Sequence, residues 1–258
     1  MSDQISNITE SPAEKLAGDF GFTEGPLWHP DGYWLFVDIQ SLKIHKMSTS
    51  GQLETFRDPS FGTNGMTFDK QGNMVICESD NRQIMRRQAD GSYTAIATHA
   101  DGKRLNRPND IVGRSDGSLY FTDPGGRLTD AERELDFSGV HIIAPDGSQS
   151  VGTTETEYPN GLAFSPDEKI FYVAITRLDS RCLEEKEKKQ VCEHQLIRAF
   201  DVAPDGSLSN NRVFANMHSA EDGVPDGMKV DVEGNVYCTG PEGVWVFDAA
   251  GTHLGTII

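Results

Sequence analysis

The chain has 258 residues, a formal net charge of −17 and 36% hydrophobic residues, which is enough to build a sizeable core. The negative charge argues against nucleic acid and anionic membranes as partners, because both require a basic protein face. No apolar run approaches the ~20 residues of a transmembrane helix, and the first residues lack the basic and apolar regions of a signal peptide. We therefore expect a soluble cytoplasmic protein.

A short motif recurs five times and always opens on a side chain that carries an oxygen. In each copy a turn residue follows eight positions later and an apolar residue ten positions later, as in Glu24, Gly32 and Trp34. This order predicts a hairpin after each opening residue. We call the five opening residues the ring residues. They are Glu24, Asn64, Asn109, Asn160 and Asp226. The turn residues are Gly32, Gly72, Gly117, Glu168 and Gly234, and the apolar residues are Trp34, Met74, Leu119, Ile170 and Val236.

A second predicted hairpin follows each motif. Its turn contains a glycine, and Asp-Gly pairs such as Asp90-Gly91 are strong hairpin signals. Two hairpins give four strands, which is the composition of a β-propeller blade. The first three ring residues are 40 and 45 residues apart, close to the usual length of a blade. The second hairpins are predicted at 44–56, 84–96, 140–151, 197–214 and 244–257.

The wider spacing of the later ring residues requires insertions. The charged stretches 124–138 and 177–194 are the obvious ones, and we expect both to form surface loops. The repeats run through most of the chain, which favours a single propeller domain over 1–258, with a disordered tail at 1–12. Residues 13–22 resemble the outer strand that precedes each later ring residue. We therefore expect either that five blades close the ring or that the chain lacks the rest of a sixth blade.

The ring residues are expected to converge. Equivalent positions in successive propeller blades are related by rotation about the central channel, and these residues stand at the entry to the inner hairpins. A single Asn-Gly or Asp-Gly pair would indicate only a turn. Five oxygen-bearing side chains in register, without His or Cys, favour a site for a hard cation.

Four segments resemble the gluconolactonase, regucalcin and luciferin-regenerating-enzyme family. They are Phe22-Thr-Glu-Gly-Pro-Leu-Trp, Arg107-Pro-Asn-Asp-Ile-Val, Tyr158-Pro-Asn-Gly-Leu-Ala-Phe-Ser-Pro-Asp and Val224-Pro-Asp-Gly-Met-Lys-Val-Asp-Val-Glu-Gly-Asn-Val-Tyr. The resemblance covers nearly the whole chain after the first twenty residues. It implies an all-β, six-bladed β-propeller of four-stranded blades, with one catalytic divalent ion on the axis. It also implies that the last blade is incomplete in this chain.

The resemblance implies roles for individual residues. Glu24, Asn160 and Asp226 look like metal ligands, and Asp226 also resembles the general base of the family. Asn109 matches a position that binds either the substrate or the metal directly. Arg107 lies where some members have an arginine that contacts the substrate.

The remaining candidates have structural alternatives. For Asn64, substrate contact and a structural role are equal alternatives. Three carboxylates stand fourteen positions after a ring residue, and we expect them to cap turns in solvent rather than to bind a second metal ion. They are Asp38, Glu78 and Asp123.

The cysteines and histidines show no ligand spacing. Cys77 and Cys238 fall in predicted strands and are expected to be buried free thiols. Cys182 and Cys192 flank a charged run and are expected to be reduced, with a disulfide across that run as the alternative. His29 and His141 are expected to be structural.

These observations predict a metal-dependent lactonase that opens sugar-acid lactones such as gluconolactone. The ion would polarise the lactone carbonyl while Asp226 activates water. Calcium is the preferred ion, with magnesium, manganese and zinc as alternatives. A phosphotriesterase-like hydrolase and a non-catalytic, calcium-binding regulatory propeller remain open. The expected partner is a small lactone, and the expected state is a monomer or a homodimer.

Overall fold

A computed structural model describes residues 8–9, 11, 13–125, 128–177, 187–191 and 194–258. The predicted tail 1–12 and the insertion 177–194, including Cys182 and Cys192, lie largely outside these residues. Within the described part of the chain, no helix has both the length and the apolar character that crossing a membrane requires.

The fold is all-β. Its strands form five four-stranded antiparallel sheets in which each strand pairs with its neighbour in sequence, the architecture of a β-propeller blade. Blade 1 comprises β1 (Thr23–His29), β2 (Tyr33–Asp38), β3 (Lys43–Ser48) and β4 (Leu53–Arg57). Blade 2 comprises β5 (Thr63–Phe68), β6 (Met74–Glu78), β7 (Gln83–Arg87) and β8 (Tyr93–Ala97). A short hairpin follows, with β9 (His99–Ala100) and β10 (Lys103–Arg104).

The last three blades have the same order of strands. Blade 3 comprises β11 (Ile111–Gly113), β12 (Leu119–Asp123), β13 (Gly139–Ile143) and β14 (Gln149–Thr153). Blade 4 comprises β15 (Pro159–Phe164), β16 (Ile170–Ile175), β17 (Leu196–Val202) and β18 (Leu208–Asn216). Blade 5 comprises β19 (Met228–Val230), β20 (Val236–Gly240), β21 (Gly243–Phe247) and β22 (His253–Ile257).

The repeat predicted from the sequence is confirmed in all five blades. Strands β6, β12, β16 and β20 begin at the predicted apolar residue, and β2 begins one residue earlier, at Tyr33. All five predicted turn residues have positive φ, including Glu168 at 55°. A residue with a side chain pays a steric cost in this conformation. Glu168 therefore shows that the turn requires the left-handed backbone even where no glycine is present.

One expectation is not met, one hairpin was not predicted, and one expectation is not confirmed. Residues 13–22 form no strand, because Asp19 has a φ of 66° and interrupts the extended chain before Thr23. The hairpin β9–β10 was not predicted, because strands of two residues are too short to show a periodic pattern. The described residues form five blades, so the sixth blade implied by the resemblance is not confirmed.

The chain divides into two compact units, and each has its own core. The first unit is Lys15–Val151, and the second comprises Met1–Glu14 and Gly152–Ile258. In the first unit, one hydrophobic cluster joins blades 1 and 2 and a second joins blades 2 and 3. In the second unit, one cluster joins blades 4 and 5. Apolar residues alternate along the strands of each blade, and they pack against the neighbouring blade of the same unit.

The carboxylates expected to stay in solvent are instead buried. Asp38, Glu78 and Asp123 end the second strands of blades 1 to 3 and are 4%, 1% and 0% exposed. Glu78 forms an ion pair with Arg57, whose Nη2 atom lies 2.6 Å from Oε1. Their position at a strand end suggested a capped turn in solvent. Tertiary packing instead covers this end of each strand with neighbouring chain segments.

Asp38 fixes the entry to blade 1. Its carboxylate accepts hydrogen bonds from the backbone N–H groups of Gly21, Phe22 and Gln40 at 3.0–3.2 Å. Burial by itself acts to raise the pKa of Asp38. These backbone hydrogen bonds, together with one from the Ser41 hydroxyl, outweigh burial and lower the pKa to about 2.

Replacement of Asp38 by Asn is expected to lower the free energy of unfolding by about 1–3 kcal/mol at pH 7, because charge-assisted hydrogen bonds are lost. The folded-state pKa is depressed, so this stabilisation is present above about pH 4 and is lost as the pH falls towards about 2. Urea unfolding at pH 7 and at pH 3 measures both effects. The exposed variant Glu54→Gln is the control. If the free energy of unfolding of wild type exceeded that of D38N by the same amount at pH 7 and at pH 3, the lowered pKa of Asp38 would be contradicted.

Candidate functional site

Every ring residue lies in the first strand of a blade or just before it. Glu24, Asn64 and Asn160 lie in β1, β5 and β15, whereas Asn109 and Asp226 precede β11 and β19 by two residues. Asn160 is buried, and the other four are half-buried. Within the first unit β5 contacts both β1 and β11, and within the second unit β15 contacts β19. The ring residues are therefore neighbours inside each unit.

Backbone hydrogen bonds hold neighbouring ring residues together. The N–H group of Gly65, just after Asn64, donates to the carbonyl of Asn109 at 2.7 Å. In the second unit, the N–H group of Gly161, just after Asn160, donates to the carbonyl of Asp226 at 3.1 Å. The same connection thus joins successive blades in both units.

This close approach explains the glycine that follows most ring residues. A Cβ atom on Gly161 would overlap the carbonyl oxygen of Asp226, and one on Gly25 would overlap that of Asn64. The glycines after Glu24, Asn64 and Asn160 therefore reflect contact between neighbouring first strands, whereas a Cβ atom on Gly227, after Asp226, would make only ordinary contact with the Thr239 hydroxyl. Asn109 is the exception, because Asp110 follows it.

Two hydroxyl groups form a second connection that the sequence analysis missed. The hydroxyl group of Ser79 donates a hydrogen bond to the carbonyl oxygen of Pro108, the residue before Asn109. In the second unit, Thr176 donates in the same way to the carbonyl of Pro225, the residue before Asp226, at 2.9 Å. Both hydroxyl residues directly follow the second strand of the preceding blade. In the sequence, the pairs Pro108-Asn109 and Pro225-Asp226 were the signal that could have indicated these two contacts.

Thr176 also orients Asn160. The Nδ2 atom of Asn160 donates to the Thr176 hydroxyl at 3.1 Å. This hydrogen bond fixes which end of the amide is the nitrogen. The amide oxygen, which is the atom able to bind a cation, therefore points away from Thr176. One threonine therefore fixes the amide of Asn160 and the backbone just before Asp226.

The ring residues Asn109 and Asp226 share a third contact. The N–H group of Asn109 donates to the carbonyl of Thr122 at 2.8 Å, and that of Asp226 donates to the carbonyl of Thr239 at 3.1 Å. Each threonine stands thirteen positions after its ring residue. Backbone hydrogen bonds thus anchor Asn109 and Asp226 on both sides, as preorganised functional side chains require.

Neither described cysteine is suited to act as a nucleophile. Cys77 and Cys238 are buried free thiols, as predicted. Burial, with a smaller contribution from the Asp226 carboxylate, raises the pKa of Cys238 to about 12. Burial and the carboxylates of Asp110 and Asp123 also raise the pKa of Cys77. Both thiols are protonated at neutral pH, and a thiolate is needed for nucleophilic attack.

An ion pair fixes the direction of the Arg107 side chain. Its Nη2 atom lies 2.7 Å from Oδ1 of Asp80, and the two side chains are 26% and 47% exposed. Asp80 stands in the turn after β6, next to Ser79. The turn that holds Pro108 through Ser79 therefore also holds the side chain of Arg107.

The ring residues fit the chemistry of a hard cation. They present two carboxylates and three amides, and hard cations such as Ca²⁺ and Mg²⁺ prefer oxygen ligands. Among the described residues, no three His, Cys, Asp or Glu side chains group as a metal site, so the amide oxygens are essential to any such set. Glu24, Asn64 and Asn109 belong to the first unit, and Asn160 and Asp226 belong to the second.

The two histidines considered in the sequence have structural surroundings. The ring of His29 stacks on Tyr33 with centroids 4.2 Å apart. The ring of His141 stacks on Phe121 at 5.1 Å and is buried. Both contacts are of the kind that aromatic side chains make in cores.

Comparisons with known proteins agree over most of the chain. A family model described as the SMP-30/Gluconolactonase/LRE-like region matches residues 22–258. The gluconolactonase of Zymomonas mobilis subsp. mobilis is 29% identical over 281 residues, which cover 99% of this chain and 74% of that protein. Pentonolactonase XacC of Haloferax volcanii is 29% identical over 239 residues, which cover 90% of this chain and 72% of that protein. The solved structure of XC5397 from Xanthomonas campestris, described as a gluconolactonase, is 34% identical with a TM-score of 0.79, and the match covers 94% of this chain and 77% of that one.

Replacement of Thr176 by Val is expected to lower the free energy of unfolding by about 1–3 kcal/mol, because the buried Asn160 amide and the Pro225 carbonyl lose their partner. Urea unfolding measures this change, and the exposed variant Thr94→Val on β8 is the matched control. Equal unfolding midpoints for T176V and T94V would show that Thr176 has no role in holding these residues.

Proposed function

Because the chain belongs to the SMP-30/Gluconolactonase/LRE-like family, we propose that it is a lactonase that opens sugar-acid lactones with the help of a divalent metal ion. The lactone-opening enzymes among its relatives support the reaction class. The observation that carries the proposal is the matching anchorage of the ring residues in both units. Asn109 and Asp226 each receive one backbone hydrogen bond from the neighbouring strand and donate another to a threonine.

The proposed ligands are Glu24, Asn109, Asn160 and Asp226. Their oxygens suit calcium first, with magnesium, manganese or zinc as alternatives. An ion held by them would polarise the lactone carbonyl and favour the oxyanion that forms on attack. Asn64 belongs to the same series of positions, and we assign it a contact with the hydroxyl groups of the substrate.

Asp226 is the proposed general base. A carboxylate can accept a proton from water as the water oxygen bonds to the lactone carbonyl carbon. The ring C–O bond of the lactone then breaks, the ring oxygen takes up a proton, and a hydroxy acid is released. The anchored backbone on both sides of Asp226 limits the positions that its carboxylate can take for this proton transfer. Arg107 donates hydrogen bonds to the polar groups of the substrate.

The metal dependence has a direct test. Protein-catalysed hydrolysis of glucono-1,5-lactone, measured as acid release above the uncatalysed rate, is expected to stop when the purified protein is treated with a chelator and to return when one divalent ion is restored. Two negative results are informative here. Hydrolysis that stays above the uncatalysed rate after complete metal removal would contradict the metal requirement. Hydrolysis of a phosphotriester but of no lactone would assign the alternative reaction class.

The role of Asp226 is tested by Asp226→Ala. Loss of a general base is expected to lower kcat by about 10²- to 10⁴-fold. The control is Asp205→Ala, which removes an exposed turn carboxylate of the same unit that accepts hydrogen bonds from the backbone and hydroxyl groups of Ser207, and it is expected to keep wild-type kcat. Wild-type turnover by D226A would exclude Asp226 as the base.

If the wild-type protein binds a metal ion but hydrolyses no ester, the regulatory alternative is favoured.

A further inference from the structure

The segment 105–109, which carries Arg107 and Asn109, is clamped by the turn that follows β6. Ser79 donates to the carbonyl of Pro108. Arg82 donates through Nε to the carbonyl of Leu105 at 2.6 Å and to that of Asn106 at 2.9 Å. These contacts all lie within the first unit, and they fix the backbone on both sides of Arg107.

The Arg107 side chain is fixed by the same turn. Its Nη2 atom donates to Oδ1 of Asp80 at 2.7 Å. Asp80 in turn packs against Gly62, where a Cβ atom would overlap the carboxylate. Gly62 has a φ of 65°, which suits glycine. The backbone before β5 therefore leaves the space that Asp80 needs to reach Arg107.

The loop after β12 adds a second acidic group near Arg107. Arg82 donates to the carbonyl of Glu132 at 3.0 Å and so holds this loop against the same segment. Hydrogen bonds from the backbone and hydroxyl of Thr129 lower the pKa of Glu132, with smaller contributions from Arg82 and Arg107. The negative charge of Glu132 therefore adds a weak attraction for Arg107 to the ion pair with Asp80.

An arginine paired in this way recognises a different substrate from an unpaired one. A guanidinium group has five N–H donors, and the ion pair with Asp80 occupies Nη2. The other donors can bind hydroxyl groups, whereas the positive charge that would attract a carboxylate is already compensated. Specificity of this kind depends as much on what a site repels as on what it binds.

We propose that Asp80 sets the charge selectivity of the substrate site. Through its ion pair with Arg107, it favours neutral polyhydroxy lactones over lactones that carry a free carboxylate. This inference rests on the proposed lactonase function and on the contact of Arg107 with substrate. Asp80 is a selectivity residue that acts through Arg107 and takes no part in the bond changes.

The test compares a neutral and an anionic substrate in Asp80→Asn. The substrates are glucono-1,5-lactone and a glucarolactone, which carries a free carboxylate. The kcat/KM ratio of the anionic to the neutral lactone is expected to rise about fivefold in D80N, the factor that corresponds to an exposed ion pair. The change is expected in KM rather than kcat, and it should shrink at 1 M salt, where screening is strong.

Two further variants make the test decisive. Asp80→Glu retains the carboxylate and is expected to keep the wild-type ratio. Asp201→Asn removes the carboxylate of a comparable surface pair, in which Arg212 lies 2.8 Å from Asp201 and the side chains are 38% and 46% exposed. D201N is also expected to keep the wild-type ratio. Thermal unfolding of each variant confirms that it is folded.

The possible results separate the two proposals. If wild type opens lactones and D80N has the wild-type ratio, the selectivity role of Asp80 is wrong and the lactonase function stands. An equal rise of the ratio in D80N and D201N would assign the effect to overall charge and would also overturn the role of Asp80. If wild type opens neither lactone, the proposed function fails and the inference fails with it.

Discussion

The hydrogen bond from the glycine after one ring residue to the carbonyl of the next is the contact on which the candidate site depends. It joins Gly65 to Asn109 in the first unit and Gly161 to Asp226 in the second. Neighbouring first strands can approach this closely only where one of them has no side chain. The contact sets the spacing of the ring residues within each unit. The hydroxyl groups of Ser79 and Thr176 then fix the prolines that precede Asn109 and Asp226.

The sequence predicts those features that follow from local backbone chemistry. The turn positions, the two hairpins of each blade and the ring residues were all evident from glycine placement and apolar alternation, and Glu168 was placed correctly without glycine. The burial of Asp38, Glu78 and Asp123 was not evident, because it depends on segments distant in sequence that cover the strand ends. The hydroxyl contacts were missed for the same reason. A Ser or Thr after a strand does not reveal which carbonyl it will bind.

The site residues show the same division between local and distant effects. The resemblance to a family suggested Arg107 as a substrate contact, but the direction of its side chain depends on Asp80, which is 27 positions away in sequence. The amide of Asn160 is oriented by Thr176 and the backbone of Asp226 by Thr239. Sequence patterns therefore identified which residue types can carry the chemistry. The surrounding contacts determine how each side chain is held.

The central claim is that the anchored ring residues serve a divalent ion. Metal analysis of the purified protein after dialysis against Ca²⁺, in wild type and in the variants Glu24→Ala and Asn160→Ala, tests it most directly. The account predicts one tightly bound ion per wild-type chain and loss of that ion in either variant. Retention of the ion in both folded variants, or no bound divalent ion in wild type, would contradict it.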